Sequence, residues 1–239
     1  MVPRPRPQST RLPPPWAIQL DFDGTITTFD VAVACCRTWG KPDWERWDDR
    51  WRAKEVTLRE LLRNQYEAIE ASAAQMRALV RQRVHARAGF DSLVAWSIAT
   101  QVPMVVVSEG IDLLLEETFA KLRIDIGYRT NLAHFVGPTQ LSLSFPSTVQ
   151  GCDVCTADQC GTCKSEVVRT LQSWGYRVAF VGDGEIDLYS ATIADAVFAT
   201  GALVDHCQRA GIGCTAFSDF SEIIPPLQRL RGDGHPPAP

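Results

Sequence analysis

Lysine is scarce in this chain. Only 4 of the 239 residues are lysine (Lys41, Lys54, Lys121 and Lys164), against 20 arginines, so each lysine asks for a reason. No apolar run approaches the roughly 18 residues of a membrane-spanning helix, so no membrane is expected as a partner. The opening MVPRPRPQSTRLPPPW lacks the apolar stretch of a secretory leader, and a cytoplasmic location is expected. An excess of basic charge is also missing. The net charge is −4, whereas a general nucleic-acid binder needs a basic face, so nucleic acid is not expected either. The four histidines (His85, His134, His206 and His235) show no metal-ligand spacing. What is present is ordinary: 45% hydrophobic and 22% charged residues suit a globular protein and exclude a disordered or collagen-like chain.

Six of the fifteen prolines fall in the first fifteen residues, so 1–15 is expected to be a disordered Pro/Arg-rich tail, and 232–239 a second tail. Between them, WAIQLDF, VPMVVVS, YRVAFVGD and DAVFAT are short and almost continuously apolar, as strands buried on both faces of a parallel sheet are. Helices are expected over 110–122, 165–174 and 186–194, and a hairpin over 128–149. Alternation of strand and helix predicts an α/β fold, a Rossmann-like parallel sheet flanked by helices. Residues 30–88 hold no strand-like run. Thr57 and Glu60 form a capping box, and Leu58, Leu61, Leu62, Ile69, Met76 and Leu79 follow at helical spacing. Trp44, Trp47 and Trp51 share one face of an earlier helix. A helical cap over 30–88 is therefore expected as an insertion in a core made of 16–29 and 89–231.

Four segments combine strand ends with polar groups. In QLDFDGTIT, Asp21 and Asp23 alternate at a strand's carboxyl end, where open parallel sheets bind ligands. Two carboxylates this close repel unless a cation or proton separates them. Gly24 allows an abrupt turn, and Thr25 adds a hydroxyl and an N–H. In VVVSEG, Ser108 and Gly110 close a strand before a helix, a place suited to an oxyanion or to an ordinary serine cap. Lys164 opens a helix, where a cation is unfavourable unless negative groups face it. In VAFVGDGEIDLYS, Asp183 ends a strand and Asp187 follows one turn later.

In this order, the four segments resemble the haloacid dehalogenase-like phosphohydrolase superfamily, and residues 30–88 lie where its helical C1-type cap sits. Within it the chain is similar to the phosphoserine phosphatase-type branch, through DFDGTIT, the tryptophan and TLRELLRNQ stretch, and the cysteine-rich run before Lys164. It is nearest there to the 2-hydroxy-3-keto-5-methylthiopentenyl-1-phosphate phosphatases of methionine salvage and the phosphoethanolamine/phosphocholine phosphatases. The resemblance implies Mg²⁺-dependent hydrolysis of a small phosphomonoester through an aspartyl phosphate. It makes Asp21 the nucleophile and Asp23 the general acid/base. Gly24, Thr25, Ser108, Gly110 and Lys164 would hold the phosphoryl group. Asp21, Asp23 and Asp183 would ligate Mg²⁺, and Asp187 would orient Lys164 or a metal-bound water. Asp30 is nine residues past Asp21, where the phosphoserine pattern has a substrate-binding glutamate; it is a candidate contact to the leaving group or a helix cap. Phosphoserine, phosphocholine and phosphoethanolamine remain alternative substrates.

Residues 30–88 carry twelve basic and nine acidic residues, a net +3 that would attract an anion. Cys152, Cys155, Cys160 and Cys163 read C-x2-C-x4-C-x2-C. That spacing is open to one structural Zn²⁺, to reduced thiols or to a disulfide; its C-x4-C-x2-C part also occurs in ferredoxins, without a fourth ligand in place. A non-catalytic zinc-binding interaction protein on a phosphatase scaffold is the rival from another class. Neither residue type nor spacing fixes the oligomeric state, a dimer included.

Overall fold

A computed structural model describes residues 14–146 and 160–232. Of the tails expected over 1–15 and 232–239, residues 1–13 and 233–239 lie outside the described residues, as does the segment 147–159. Strand β1 (Trp16–Leu20) is followed by four helices: α1 (Val31–Trp39), α2 (Arg46–Arg52), α3 (Leu58–Glu67) and α4 (Ala73–Arg83). The chain continues through α5 (Phe90–Thr100), β2 (Met104–Ile111), α6 (Asp112–Leu122), β3 (Gly127–Phe135) and β4 (Leu141–Ser144). Next come α7 (Lys164–Ser173), β5 (Arg177–Gly182), α8 (Leu188–Ala191) and β6 (Ala196–Ala199). Helix α9 (Gly201–Ala210), the short β7 (Thr215–Ala216) and α10 (Ile224–Arg231) complete it. The strands form one sheet in the order β4-β3-β2-β1-β5-β6-β7. Every neighbouring pair is parallel except β3 with β4.

Alternation along the strands divides the core between the two faces of the sheet. Trp16, Ile18 and Leu20 of β1, with Ala179 and Val181 of β5, join the cluster beneath α1, α3 and α4. Ala17, Val178 and Phe180 point the other way, onto Val167, Val168 and Leu171 of α7. Strands apolar on both faces can occupy only the middle of a covered sheet, and β1 does, with β2 on one side and β5 on the other.

The segment 30–88 is helical but not one long helix. Glu67 ends α3, and Ser72 starts α4 with a second capping box, its side chain and that of Gln75 exchanging bonds with the backbone. The Thr57–Glu60 box caps α3 as expected. Trp44, Trp47 and Trp51 pack half-buried against the core, but α2 begins only at Arg46, leaving Trp44 ahead of it. Two contacts fasten the helices to the sheet. Arg77 and Arg81 converge on the buried carboxylate of Glu117 in α6 at 3.0 and 2.6 Å. Where the chain returns, Arg87 donates to the carbonyls of Thr25 (2.9 Å) and Gly24 (2.5 Å), which ties the exit of the helical segment to its entry. Among the described residues no helix is long and apolar enough to cross a membrane.

Two expected boundaries moved. The helix expected from residue 110 starts at Asp112, because β2 runs on to Ile111 through an irregularity in its register with β3 between Val107 and Ile111. The helix expected over 186–194 is a single turn, Leu188–Ala191, since the following residues leave it to enter β6.

Candidate active site

The carboxyl ends of β1, β2 and β5 open into a cleft of about 860 Å³, closed on its far side by α1, α2 and α3. Asp21 is the first residue beyond β1 and is buried. Strand geometry ends at Leu20, and Gly24 turns the chain with φ of +75°. Asp21 and Asp23 both line the cleft. Asp21 faces Lys164 and Asp183. Asp23 turns towards α1, where its Oδ1 accepts the Val31 N–H at 2.8 Å.

Lys164 is the centre of the arrangement. Its side chain is 7% exposed, and its Nζ donates to Asp21 Oδ1 at 2.5 Å and Asp187 Oδ1 at 2.6 Å. Burial works to strip the proton from this ammonium, but Asp187 and Asp21 outweigh it and hold the pKa above its ordinary value. The apparent misplacement of a lysine at a helix start is thus resolved by two carboxylates. Asp187 is saturated: its Oδ2 accepts the N–H groups of Asp183 (2.8 Å) and Gly184 (3.1 Å). Thr25 Oγ1 lies between Asp21 Oδ2 (3.0 Å) and Asp183 Oδ1 (3.2 Å).

Carboxylate oxygens of Asp21, Asp183 and Asp187 all lie within 4.8 Å of one another. Burial, then the other acids, push the Asp21 pKa well up despite Lys164, and burial followed by Asp187 raises that of Asp183. A concentration of hard oxygen donors with only one ammonium among them fits a divalent cation such as Mg²⁺. Asp187 joins Asp21 and Asp183 in this acidic group, whereas the Asp23 carboxylate lies outside it. Burial, and next the charge of Asp30, raise the Asp23 pKa well above its ordinary value.

Gly24 shows how tightly the centre is packed. A Cβ there would collide with the Asp183 carboxylate, and the residue has positive φ. Gly24→Ala should lower kcat on the order of 100-fold by displacing Asp183, since misplacement of about 1 Å can cost that much. Steady-state kinetics beside a thermal melt would check it.

Ser108 is 1% exposed, and its Oγ accepts the Gly110 N–H at 2.8 Å. It sits in the irregular end of β2, four residues ahead of α6 and not at its first turn, so it does not cap that helix. A Cβ on Gly110 would lie 3.0 Å from Ser108 Oγ and 3.1 Å from Asp23 Oδ2; glycine lets these two side chains approach. Asp30 caps α1 by accepting the Val33 N–H at 2.8 Å and also lines the cleft. Cys152 and Cys155 lie outside the described residues. Cys163 caps α7, its sulfur accepting the Glu166 N–H at 3.4 Å. Among the described residues the acidic trio is the only grouping fit for a metal, and nothing there supports structural zinc.

Several site residues escaped the sequence reading. Gln19, fully buried in β1, donates to the Lys164 carbonyl at 3.0 Å; a glutamine inside WAIQLDF was the available signal. Arg87, Glu109, Asn131 and Thr162 gave no signal, because their roles depend on contacts across the fold.

Comparison with known proteins follows the same lines. No protein-family model matches the chain. A phosphoserine phosphatase solved as a phospho-aspartyl intermediate analogue superposes with a TM-score of 0.66 at 16% identity, over 89% of this chain and 98% of that one. A haloacid dehalogenase-family hydrolase from Salmonella enterica serovar Typhi gives 0.71 at 16% identity, over 95% and 75%. These likenesses show the fold, one shared with phosphoserine phosphatases and a haloacid dehalogenase-family hydrolase. Sequence relatives narrow it. The 2-hydroxy-3-keto-5-methylthiopentenyl-1-phosphate phosphatase of Geobacillus kaustophilus is 31% identical over 212 residues, 88% of this chain and 94% of the relative. That of Exiguobacterium sibiricum is 30% identical over 223 residues, covering 88% and 95%. The chain belongs to this phosphatase family.

Proposed function

We propose that the protein hydrolyses a small phosphomonoester with Asp21 as nucleophile, and that its substrate is the one for which its relatives are named, 2-hydroxy-3-keto-5-methylthiopentenyl-1-phosphate. The observation that carries this reading is the buried Lys164 ammonium held between Asp21 and Asp187 at the end of β1. An Asp21 oxygen attacks phosphorus, and the bond to the leaving oxygen breaks as Asp23 gives that oxygen its proton. Water then attacks phosphorus from the Asp23 side, returning a proton to Asp23 and releasing phosphate from Asp21. Lys164 and the Ser108 hydroxyl stabilise the phosphoryl oxygens, in a space that Gly24 and Gly110 keep free of side chains. Asp21 and Asp183 would hold Mg²⁺, whose charge would let an anionic nucleophile approach an anionic ester. Asp187 acts through Lys164 and the Asp183 backbone.

The wall that α2 and α3 contribute bears on the substrate. Trp51, Leu58, Leu61 and Leu62 line the cleft, which suits a leaving group with an apolar tail such as methylthio. Asp30 at the start of α1 and Asp48 on α2, both lining the cleft, favour a second reading, a substrate bearing an ammonium. Phosphate release should be measured over a panel holding the enol phosphate, phosphoserine, phosphocholine, phosphoethanolamine and p-nitrophenyl phosphate. A kcat/KM at least tenfold higher for the enol phosphate is the expected result; preference for an aminoalkyl phosphate would establish the second reading instead. EDTA should abolish hydrolysis and Mg²⁺ restore it, with Ca²⁺ a poor substitute because its looser shell does not align the phosphoryl group. Full activity after exhaustive chelation would contradict the reaction.

A further inference from the structure

We infer that Glu109 and Asn131 are positioning residues that aim Lys164 by clamping the stretch 160–164 that carries it. The inference rests on the role proposed for Lys164 above. Glu109 follows Ser108 at the bulged end of β2, and Asn131 lies beside it on β3. Both are buried, Asn131 completely. Asn131 Nδ2 donates to the Glu109 carbonyl at 2.7 Å, and Thr162 Oγ1 donates to Asn131 Oδ1 at 3.1 Å. The Thr162 N–H donates to Glu109 Oε2 at 2.9 Å. Between them Gly161 has no space for a side chain: a Cβ would sit 2.6 Å from both Asn131 Oδ1 and Glu109 Oε2. Arg59 of α3 holds the Cys160 carbonyl at 2.7 Å from the other side.

This clamp ends two residues before Lys164, whose own carbonyl is held by Gln19. The backbone is therefore fixed on both sides of Cys163. A lysine stem has four flexible bonds, so a fixed backbone is what lets one ammonium reach two carboxylates and a phosphoryl oxygen at once. Purely structural packing of this loop could be apolar. A carboxylate placed beside Ser108 with Oε1 unpartnered among the described residues is a costly way to fill space, and burial pushes its pKa up to about 7. The directional bonds to Thr162 are what that cost yields. They also link the two phosphoryl-binding elements, since Ser108 and the Lys164 loop share one neighbour.

The test uses the full chain with Mg²⁺ and two aryl substrates, p-nitrophenyl phosphate and 4-methylumbelliferyl phosphate. Glu109→Gln keeps an acceptor for the Thr162 N–H and should retain kcat within about threefold. Glu109→Ala should lose on the order of 10- to 100-fold in kcat, as loss of alignment does, and weaken inhibition by inorganic phosphate. Thr162→Val, isosteric and tolerant of folding failures at Glu109, should lose at least fivefold. The ratio of kcat/KM between the two substrates should not change in any variant, because Glu109, although it borders the cleft beside Ser108, spends its bonds on the 160–164 backbone. The inference is overturned if Glu109→Ala and Thr162→Val keep wild-type kcat, if Glu109→Gln loses as much as Glu109→Ala, or if the substrate ratio shifts more than threefold. Lys164→Met separates the two levels. Wild-type turnover in that variant would overturn the role of Lys164 itself, whereas its loss beside an active Glu109→Ala would overturn only the clamp.

Discussion

Replacing Asp21 by asparagine should leave a folded protein that turns over at least about 10⁴-fold more slowly than the wild type, the scale seen when a nucleophile is removed. The surroundings explain why the fold should survive. Asparagine Oδ1 can accept from Lys164 as Asp21 Oδ1 does, and its Nδ2 can donate to Thr25 Oγ1 in place of the present Thr25–Asp21 bond. Lys164 keeps Asp187 as its counter-charge. Asp21 is a buried acid with a raised pKa, and its neutral replacement removes a desolvation cost. The melting temperature should stay within a few degrees of wild type, and phosphate should bind at least as well, because one negative charge facing it is gone. Stopped assays with p-nitrophenyl phosphate and a thermal melt measure both sides. Turnover near wild type would remove Asp21 from the reaction.

Lys164→Met should have the opposite balance, large losses in both stability and activity. It leaves the carboxylates of Asp21 and Asp187 buried without their cation, a situation that costs about 3–5 kcal/mol. For a domain of this size that corresponds to a melting temperature lower by on the order of 10 °C. The deficit should depend on pH with a definite sign. The raised folded-state pKa of Asp21 means that its ionisation opposes folding, so stability falls as pH rises through that pKa. Without Lys164 the opposition grows, and the gap to wild type should widen with rising pH and shrink in acid. Added Mg²⁺ should recover part of the stability, by supplying charge beside Asp21 and Asp183, but little of the turnover. A gap independent of pH would show that the lost stem packing, not the lost charge, dominates.

These two substitutions also mark what the sequence made legible. Asp21, Lys164, Asp183 and Asp187 could be picked out because each stands at a strand end or helix start, where local rules give a polar residue few other reasons to be. The scarcity of lysine made Lys164 conspicuous. The strands β1, β2, β5 and β6 were readable for a related reason: a short run apolar on both faces has few places to go except the middle of a covered sheet. The details that failed are those decided by backbone conformation. Helix α6 starts late because β2 carries a bulge, and α8 is a single turn where a longer helix was expected. Neither follows from periodicity. Glu109, Asn131 and Thr162 were invisible because their meaning lies in contacts between β2, β3 and a loop that are 22 to 53 residues apart in sequence. The wall of the cleft is intermediate. The leucines of α3 were legible as an apolar helix face, but nothing in their spacing said that Leu58, Leu61 and Leu62 would border the cleft as well as the core.

Trapping the covalent intermediate tests the proposed chemistry most directly. The enzyme would be mixed with p-nitrophenyl phosphate and Mg²⁺, quenched in acid, treated with borohydride and digested, and the peptides analysed by mass spectrometry. An acyl phosphate is reduced at its carboxyl carbon, which converts the aspartate that carried phosphorus into homoserine. The expected result is homoserine at position 21, dependent on substrate and absent from Asp21→Asn. Homoserine at position 23 or 183, or turnover with no reducible acyl phosphate at any position, would contradict the assignment of Asp21 as the nucleophile.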